Sequence, residues 1–127
     1  MRYPELLKKN ATIGLVAPSF GVSGHPYEER YEYTLKLFKD MGYNVVEAKH
    51  LRGIRHAKST SGKIRAREFM QMYLNDDIDF IFSVAGGELM LEILPYINFK
   101  KLKKGQTKVF HGFIRQYLPD IHPEYHL

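Results

Sequence analysis

The chain has 127 residues, with 44% apolar and 13% aromatic residues, enough to build one hydrophobic core and too many for intrinsic disorder. It has no cysteine, which excludes disulfide scaffolds, thiolate metal sites and cysteine nucleophiles. Its net charge of +5 is gathered into two stretches, and no run approaches the roughly 18 apolar residues of a membrane span. Met1–Asn10 lacks the apolar centre of a signal peptide, so the expectation is a soluble, cytoplasmic protein with no membrane partner.

Thr12–Ala17 is a short apolar run ending at Pro18 and predicts a buried strand. Ser19–Pro26 holds two glycines and a proline and predicts a loop. From Tyr27 to Met41 the apolar residues Tyr31, Leu35 and Phe38 recur at helical spacing, widened by Leu37 and Met41, and Gly42 stands where a helix stops. Asn44–Ala48 predicts a second strand. His50–Thr60 predicts a loop, in which His50 and His56 are simple loop residues.

A second helix is expected from Ser61 or Gly62, with Ala66, Phe69, Met70 and Tyr73 as its apolar stripe and Asn75-Asp76-Asp77 as its end. Ile78–Val84 predicts a third strand running into Ala85-Gly86-Gly87-Glu88. Leu89–Leu94 predicts a helix that stops at Pro95, Phe99–Lys103 a short helix, and Lys108–Phe113 a fourth strand. Strands alternating with helices imply a parallel α/β sheet with helices on both faces, a flavodoxin- or Rossmann-like three-layer sandwich. Ligands of such sheets sit beyond the carboxyl ends of the strands. The loops there are Pro18–Gly24, Ala85–Glu88 and whatever follows Phe113.

The basic stretches are Lys49–Arg67, with seven Lys/Arg and no acid, and Lys100–Lys108. Their plain reading is a solvated loop and a solvated helix face; contact with nucleic acid is the less favoured one, since no aromatic residue interleaves either stretch. Neither a Walker loop nor a G-x-G-x-x-G fingerprint follows the first strand, and the six histidines show no metal spacing, so no cofactor and no metal are expected. Gly86-Gly87 reads either as a tight strand-to-helix turn or as a pair of backbone amides facing a ligand oxygen. Ser19 reads either as a turn hydroxyl or as a ligand-binding one.

Thr12-Ile-Gly-Leu-Val-Ala-Pro-Ser19, the helix ending in Met41-Gly42-Tyr43-Asn-Val-Val46, Asp76-Asp-Ile-Asp-Phe-Ile-Phe82, and Gly86-Gly87 followed by Ile93-Leu-Pro-Tyr-Ile97 together resemble the N-terminal domain of the LD-carboxypeptidases. Gly-Gly-Glu and Glu-Ile-Leu-Pro-Tyr-Ile are most similar to the branch that contains microcin C immunity peptidases. The resemblance covers Ala11–Phe113. It implies a two-domain serine hydrolase acting on a murein tetrapeptide or a peptidyl nucleotide, with a Ser-His-Glu triad whose His and Glu come from a C-terminal domain. It implies that Gly86 and Gly87 form the oxyanion and substrate-binding turn and that Glu88 beside them reads substrate, with Ser19 a further candidate. It also implies a Gly-x-Ser-Asp nucleophile turn whose first two positions are Gly112-Phe113.

The next two residues are Ile114 and Arg115, where serine and aspartate belong. Isoleucine offers no nucleophilic atom, so the chain as it stands is expected to be inactive, with no catalytic residue of its own. On this reading residues 1–113 are a domain truncated before the family's C-terminal domain, and 114–127 are an aberrant tail. A frameshift accounts for the tail. Ile-Arg-Gln-Tyr encoded ATC CGA CAA TAC and followed by C reads, from the second base, TCC GAC AAT ACC, which is Ser-Asp-Asn-Thr. A deliberately cut chain with a foreign tail is the alternative. A domain stripped of its partner is also expected to self-associate, as a homodimer or larger, through surface near Gly86-Gly87 and Phe113. Two other functions stay open: a flavodoxin-like module whose Gly86-Gly87 loop holds an anionic ligand without chemistry, and a basic nucleic-acid-binding module. Steep weakening of binding between about 50 and 200 mM salt would mark the latter.

Overall fold

The computed structural model describes residues 7–52 and 60–111, and of Glu88 the backbone alone. Strands β1 (Thr12–Val16), β2 (Asn44–Glu47), β3 (Phe80–Ser83) and β4 (Val109–His111) form one sheet in the order β2-β1-β3-β4, with every pairing parallel. Helices α1 (Tyr27–Asp40), α2 (Gly62–Leu74) and α3 (Phe99–Lys104) and a 3₁₀ helix (Glu88–Tyr96) fill the crossovers. The chain leaves β1 towards β2, then returns past β1 to β3 and on to β4. Right-handed crossovers in opposite directions put α1 on one face of the sheet and α2 and α3 on the other. The aromatic contacts agree: Phe38 of α1 meets Phe82 of β3 with centroids 6.1 Å apart, while Phe69 of α2 meets Phe110 of β4 at 5.2 Å. The expected three-layer α/β sandwich is therefore what forms.

Its core is the apolar middle of β1 and β3 (Ile13, Leu15, Val16, Ile81), packed with Phe69, Met72 and Tyr73 of α2 and with Tyr31 of α1. A smaller cluster, Ala66 with Met90 and Ile93, joins α2 to the 3₁₀ helix. Local signals set the ends of these elements. The Ser61 hydroxyl accepts from the Ile64 N–H at 3.3 Å and opens α2; the Asn98 carbonyl oxygen accepts from the Lys101 N–H at 3.1 Å and opens α3.

Several expectations need correction. Leu37 and Met41 are exposed, not core, because their directions on the helix point away from the sheet that Tyr31 and Phe38 face. The third strand is shorter than its apolar run, since Ile78 is buried in the turn before it, where its N–H donates to Asn75 O. The segment after Gly87 is a 3₁₀ helix that passes through Pro95 rather than stopping before it. Its three-residue repeat sets Met90 and Ile93 on one side against Ala66, and the Ile97 N–H reaches Leu94 O around the proline. Of the basic stretches, Lys49, Arg52, Lys63, Arg67, Lys100, Lys101, Lys103 and Lys104 do lie in solvent. Arg65 and Lys108 are buried. The Lys108 ammonium donates to Asn75 O, and to Met72 O at 3.5 Å, completing the carbonyl end of α2.

Candidate functional site

In the order β2-β1-β3-β4 the direction of winding reverses between β1 and β3, and it is at such a reversal that parallel sheets form their ligand crevice. The structure brings three of the expected residues there. The loop after β1 carries Ser19, and the loop after β3 carries Gly86 and Gly87. These loops touch. Gly87 lies at φ +146, ψ 156, a region in effect restricted to glycine. A Cβ on it would stand 2.4 Å from Phe20 Cε2 and 2.6 Å from Ser19 Oγ. Only a residue without a side chain lets the two loops meet this closely.

The crevice is supplied with unpaired donors. Neither the Gly86 nor the Gly87 N–H donates to an acceptor among the described residues. Ser19 is fully buried, yet its Oγ has no hydrogen-bond partner in the structure. Buried polar groups left unpaired are uncommon in proteins, and where they gather beside free amides they describe a place for a ligand's acceptor. Glu88 opens the 3₁₀ helix directly after this turn, with its side chain outside the description. Gly112, Phe113, Ile114 and Arg115, on which the nucleophile turn was expected, lie outside the described residues, as does His56.

Sequence reasoning missed one residue of this site. Arg65, counted with the solvated cations, lies on α2 with its side chain wholly inaccessible. Its Nη1 donates to Pro18 O at 2.7 Å and Leu89 O at 3.0 Å, and its Nη2 to Glu92 Oε2 at 2.7 Å. A signal for it existed: Arg65, Phe69 and Met72 stand at i, i+4, i+7 and share the buried face of α2. A charge on an apolar stripe must find partners.

His50 is also more than a loop residue. Its Nδ1 lies 2.5 Å from Glu68 Oε1, and its backbone N–H donates to the same oxygen at 3.2 Å. This pair lines a groove of about 430 Å³ between β2 and α2, whose walls include neither Ser19 nor Gly86-Gly87. No group of three metal-ligating side chains occurs among the described residues, and no helix there is long and apolar enough to cross a membrane.

The family model of the LD-carboxypeptidase N-terminal domain matches residues 13–113. Among curated protein sequences none matches this chain. Solved structures do. The microcin C7 self-immunity protein MccF, wild type in its apo state, superposes with a TM-score of 0.77 at 23% identity, over 84% of this chain and 31% of that one. An MccF-like protein from Bacillus anthracis str. Ames gives 0.75 at 23% identity, over 84% and 32%. A muramoyltetrapeptide carboxypeptidase from Oxalobacter formigenes gives 0.63 at 21% identity, over 79% and 32%. The chain thus spans about a third of the length of these structures.

Proposed function

Since this chain belongs to the LD-carboxypeptidase N-terminal domain family, we propose that it is the N-terminal, oxyanion-side part of a serine LD-carboxypeptidase and does no hydrolysis as it stands. The observation that carries this reading is the meeting of the two switch-point loops, where Gly87 at φ +146 rests on Ser19 and Phe20 beside two undonated amides. Aimed at a scissile carbonyl, such amides hold the oxyanion of the tetrahedral intermediate, each worth about 3–4 kcal/mol of transition-state stabilisation. Glu88 sits beside them in the chain and reads the substrate's polar groups. A nucleophile has to come from the turn after β4, and there the sequence has Ile114. Without a serine hydroxyl, preorganised amides stabilise nothing that forms.

The substrate class is a peptide carboxyl terminus or a peptidyl nucleotide. The solved MccF structures include complexes with aspartyl sulfamoyl adenosine and glutamyl sulfamoyl guanosine, which favours testing the nucleotide conjugate alongside a murein tetrapeptide. A cytoplasmic setting goes with the nucleotide substrate. Residues 114–127 are read as an out-of-frame tail, and self-association is expected through the exposed Leu91, Tyr96 and Phe99 that follow the crevice in the chain. A chain that sediments as a clean monomer at high micromolar concentration would overturn that last point.

The purified chain, incubated with a murein tetrapeptide and with an aspartyl sulfamoyl nucleoside, should release neither D-alanine nor free aspartate. Release that scales with protein and survives repurification would overturn the claim of inactivity. Deleting the first base of codon 114 should place Ser-Asp-Asn-Thr after Phe113 and open a frame into a second domain, with hydrolysis abolished when that serine becomes alanine. An early stop in that frame would sink the frameshift account. A folded, full-length product that cleaves neither substrate would sink the carboxypeptidase reading.

A further inference from the structure

We infer that Arg65 is the positioning residue of the Gly86-Gly87 turn: one guanidinium ties the loop after β1 to the loop after β3 and so sets the crevice between them. The geometry is specific. Nη1 is shared between Pro18 O, one residue before Ser19, and Leu89 O, two residues after Gly87. Nη2 holds Glu92, one turn further along the 3₁₀ helix. The three contacts therefore bracket the place where Gly87 presses on Ser19 and Phe20.

Helix α2 is built to deliver this side chain. Its first residue, Gly62, packs so closely that a Cβ there would lie 2.9 Å from Glu92 O, and Ala66 is fully buried against Met90 and Ile93. Small residues at both positions bring the helix axis in to the 3₁₀ backbone, and Arg65 between them reaches through to Pro18. A planar fork serves all three acceptors, with Nη1 bridging Pro18 O and Leu89 O and Nη2 adding Glu92 from the same 3₁₀ helix as Leu89. Lysine has a single ammonium and cannot hold the carbonyls of the loops and Glu92 together. The carboxylate of Glu92 balances the buried cation and keeps the fork in its plane.

This inference takes the crevice reading as its premise, but its test needs no turnover. The 127-residue chain is compared by amide NMR and hydrogen exchange with Arg65→Lys, Arg65→Met and Glu92→Gln. Leu102→Ala, a cavity in α3 away from the crevice, serves as a control of general destabilisation. In Arg65→Lys and Arg65→Met the amides of Ser19, Phe20, Gly86, Gly87 and Leu89 should shift, and the Met90 N–H, which donates to Gly87 O, should exchange about 10–100-fold faster, as loss of hydrogen bonds to a charged group gives. The amides of Ile13 and Leu15 should change no more than in Leu102→Ala. Glu92→Gln, which keeps the arginine, should show a smaller change confined to the same residues. The proposal is overturned if Arg65→Lys and Glu92→Gln leave the turn's amides at their wild-type positions. It is equally overturned if the arginine variants accelerate all amides alike, as Leu102→Ala does; Arg65 would then be a buried stabilising ion only. If Arg65→Met does not fold, Arg65→Lys and Glu92→Gln still decide. Failure of the hydrolase reading would appear in the D-alanine and aspartate assays and would not alter the amide changes expected of the Arg65 and Glu92 variants.

Discussion

Arg65 and Arg52 both join separate segments through carboxylates, in opposite surroundings. Arg52, at the β2 edge, donates to Glu32 at 2.7 Å and Glu47 at 3.2 Å and lies 4.8 Å from the centre of the Tyr31 ring, but its side chain is 46% exposed. Arg65 makes the same kind of bonds with no exposure at all, and two of its three acceptors are backbone carbonyls. Water can replace what Arg52 gives, and salt screens it. Arg65 is harder to replace, because its guanidinium is wholly inaccessible and removing it takes a charged donor from Pro18 O and Leu89 O. The difference teaches that burial, not the number of ion pairs, decides which arginine the fold depends on.

The largest effect should be Arg65→Met, at about 3–5 kcal/mol of stability, against at most about 1 kcal/mol for Arg52→Met. Urea unfolding of both measures the gap, and a cost below that of Arg52→Met would break the comparison. Gly87→Ala comes next. Its cost should be about 1–3 kcal/mol from a backbone region restricted to glycine and a similar amount from the clash with Phe20 and Ser19. Adding Phe20→Ala should recover only the Phe20 share of the clash, which a double-mutant cycle reads directly.

The β2 edge can be sharpened by pH. Burial, and then the hydrogen bond of 2.6 Å to Glu47, hold the Tyr31 hydroxyl far above its ordinary value of 10.0. Its folded pKa is raised, so the stability it adds is complete below pH 10 and falls as pH rises beyond, by up to about 1.4 kcal/mol per unit. Tyr31→Phe should flatten that fall in thermal melts between pH 9 and 11. A matched fall in both proteins would show that Tyr31 does not carry it. Lys108 should act with the opposite sign and the smallest size. Burial lowers its pKa below 10.5, while Asp76, Asp79 and Asp77 pull it back up. The unfolded chain then holds the proton over a range where the folded one has lost it, so stability should rise with pH on approaching 10.5. Lys108→Met should remove that rise; a slope identical in both chains would count against it.

Much of the fold was legible in the residues. The apolar runs at Thr12–Ala17 and Ile78–Val84, the 3.6-residue stripes through Tyr31 and Phe69, and the start of α2 at Ser61 are local, and local physics settles them to within a residue or two at the ends. Gly86-Gly87 and Ser19 were legible as candidates but not as neighbours. Two residues whose bonds matter most, Arg65 and Lys108, read as solvated because charge alone argues for the surface. Only the acceptors that other segments bring to them make burial possible.

The sequence by itself determined the alternation of strand and helix and the parallel sheet that follows from it. Each of these rests on residue type and spacing along a few turns of chain. Tertiary structure decided that β1 and β3 lie side by side with the loops after them in contact, which puts Gly87 on Ser19 across more than sixty residues of sequence. It also decided which cations are interior. A buried charge is stable only where distant carbonyls and carboxylates converge on it, and no local pattern specifies that convergence.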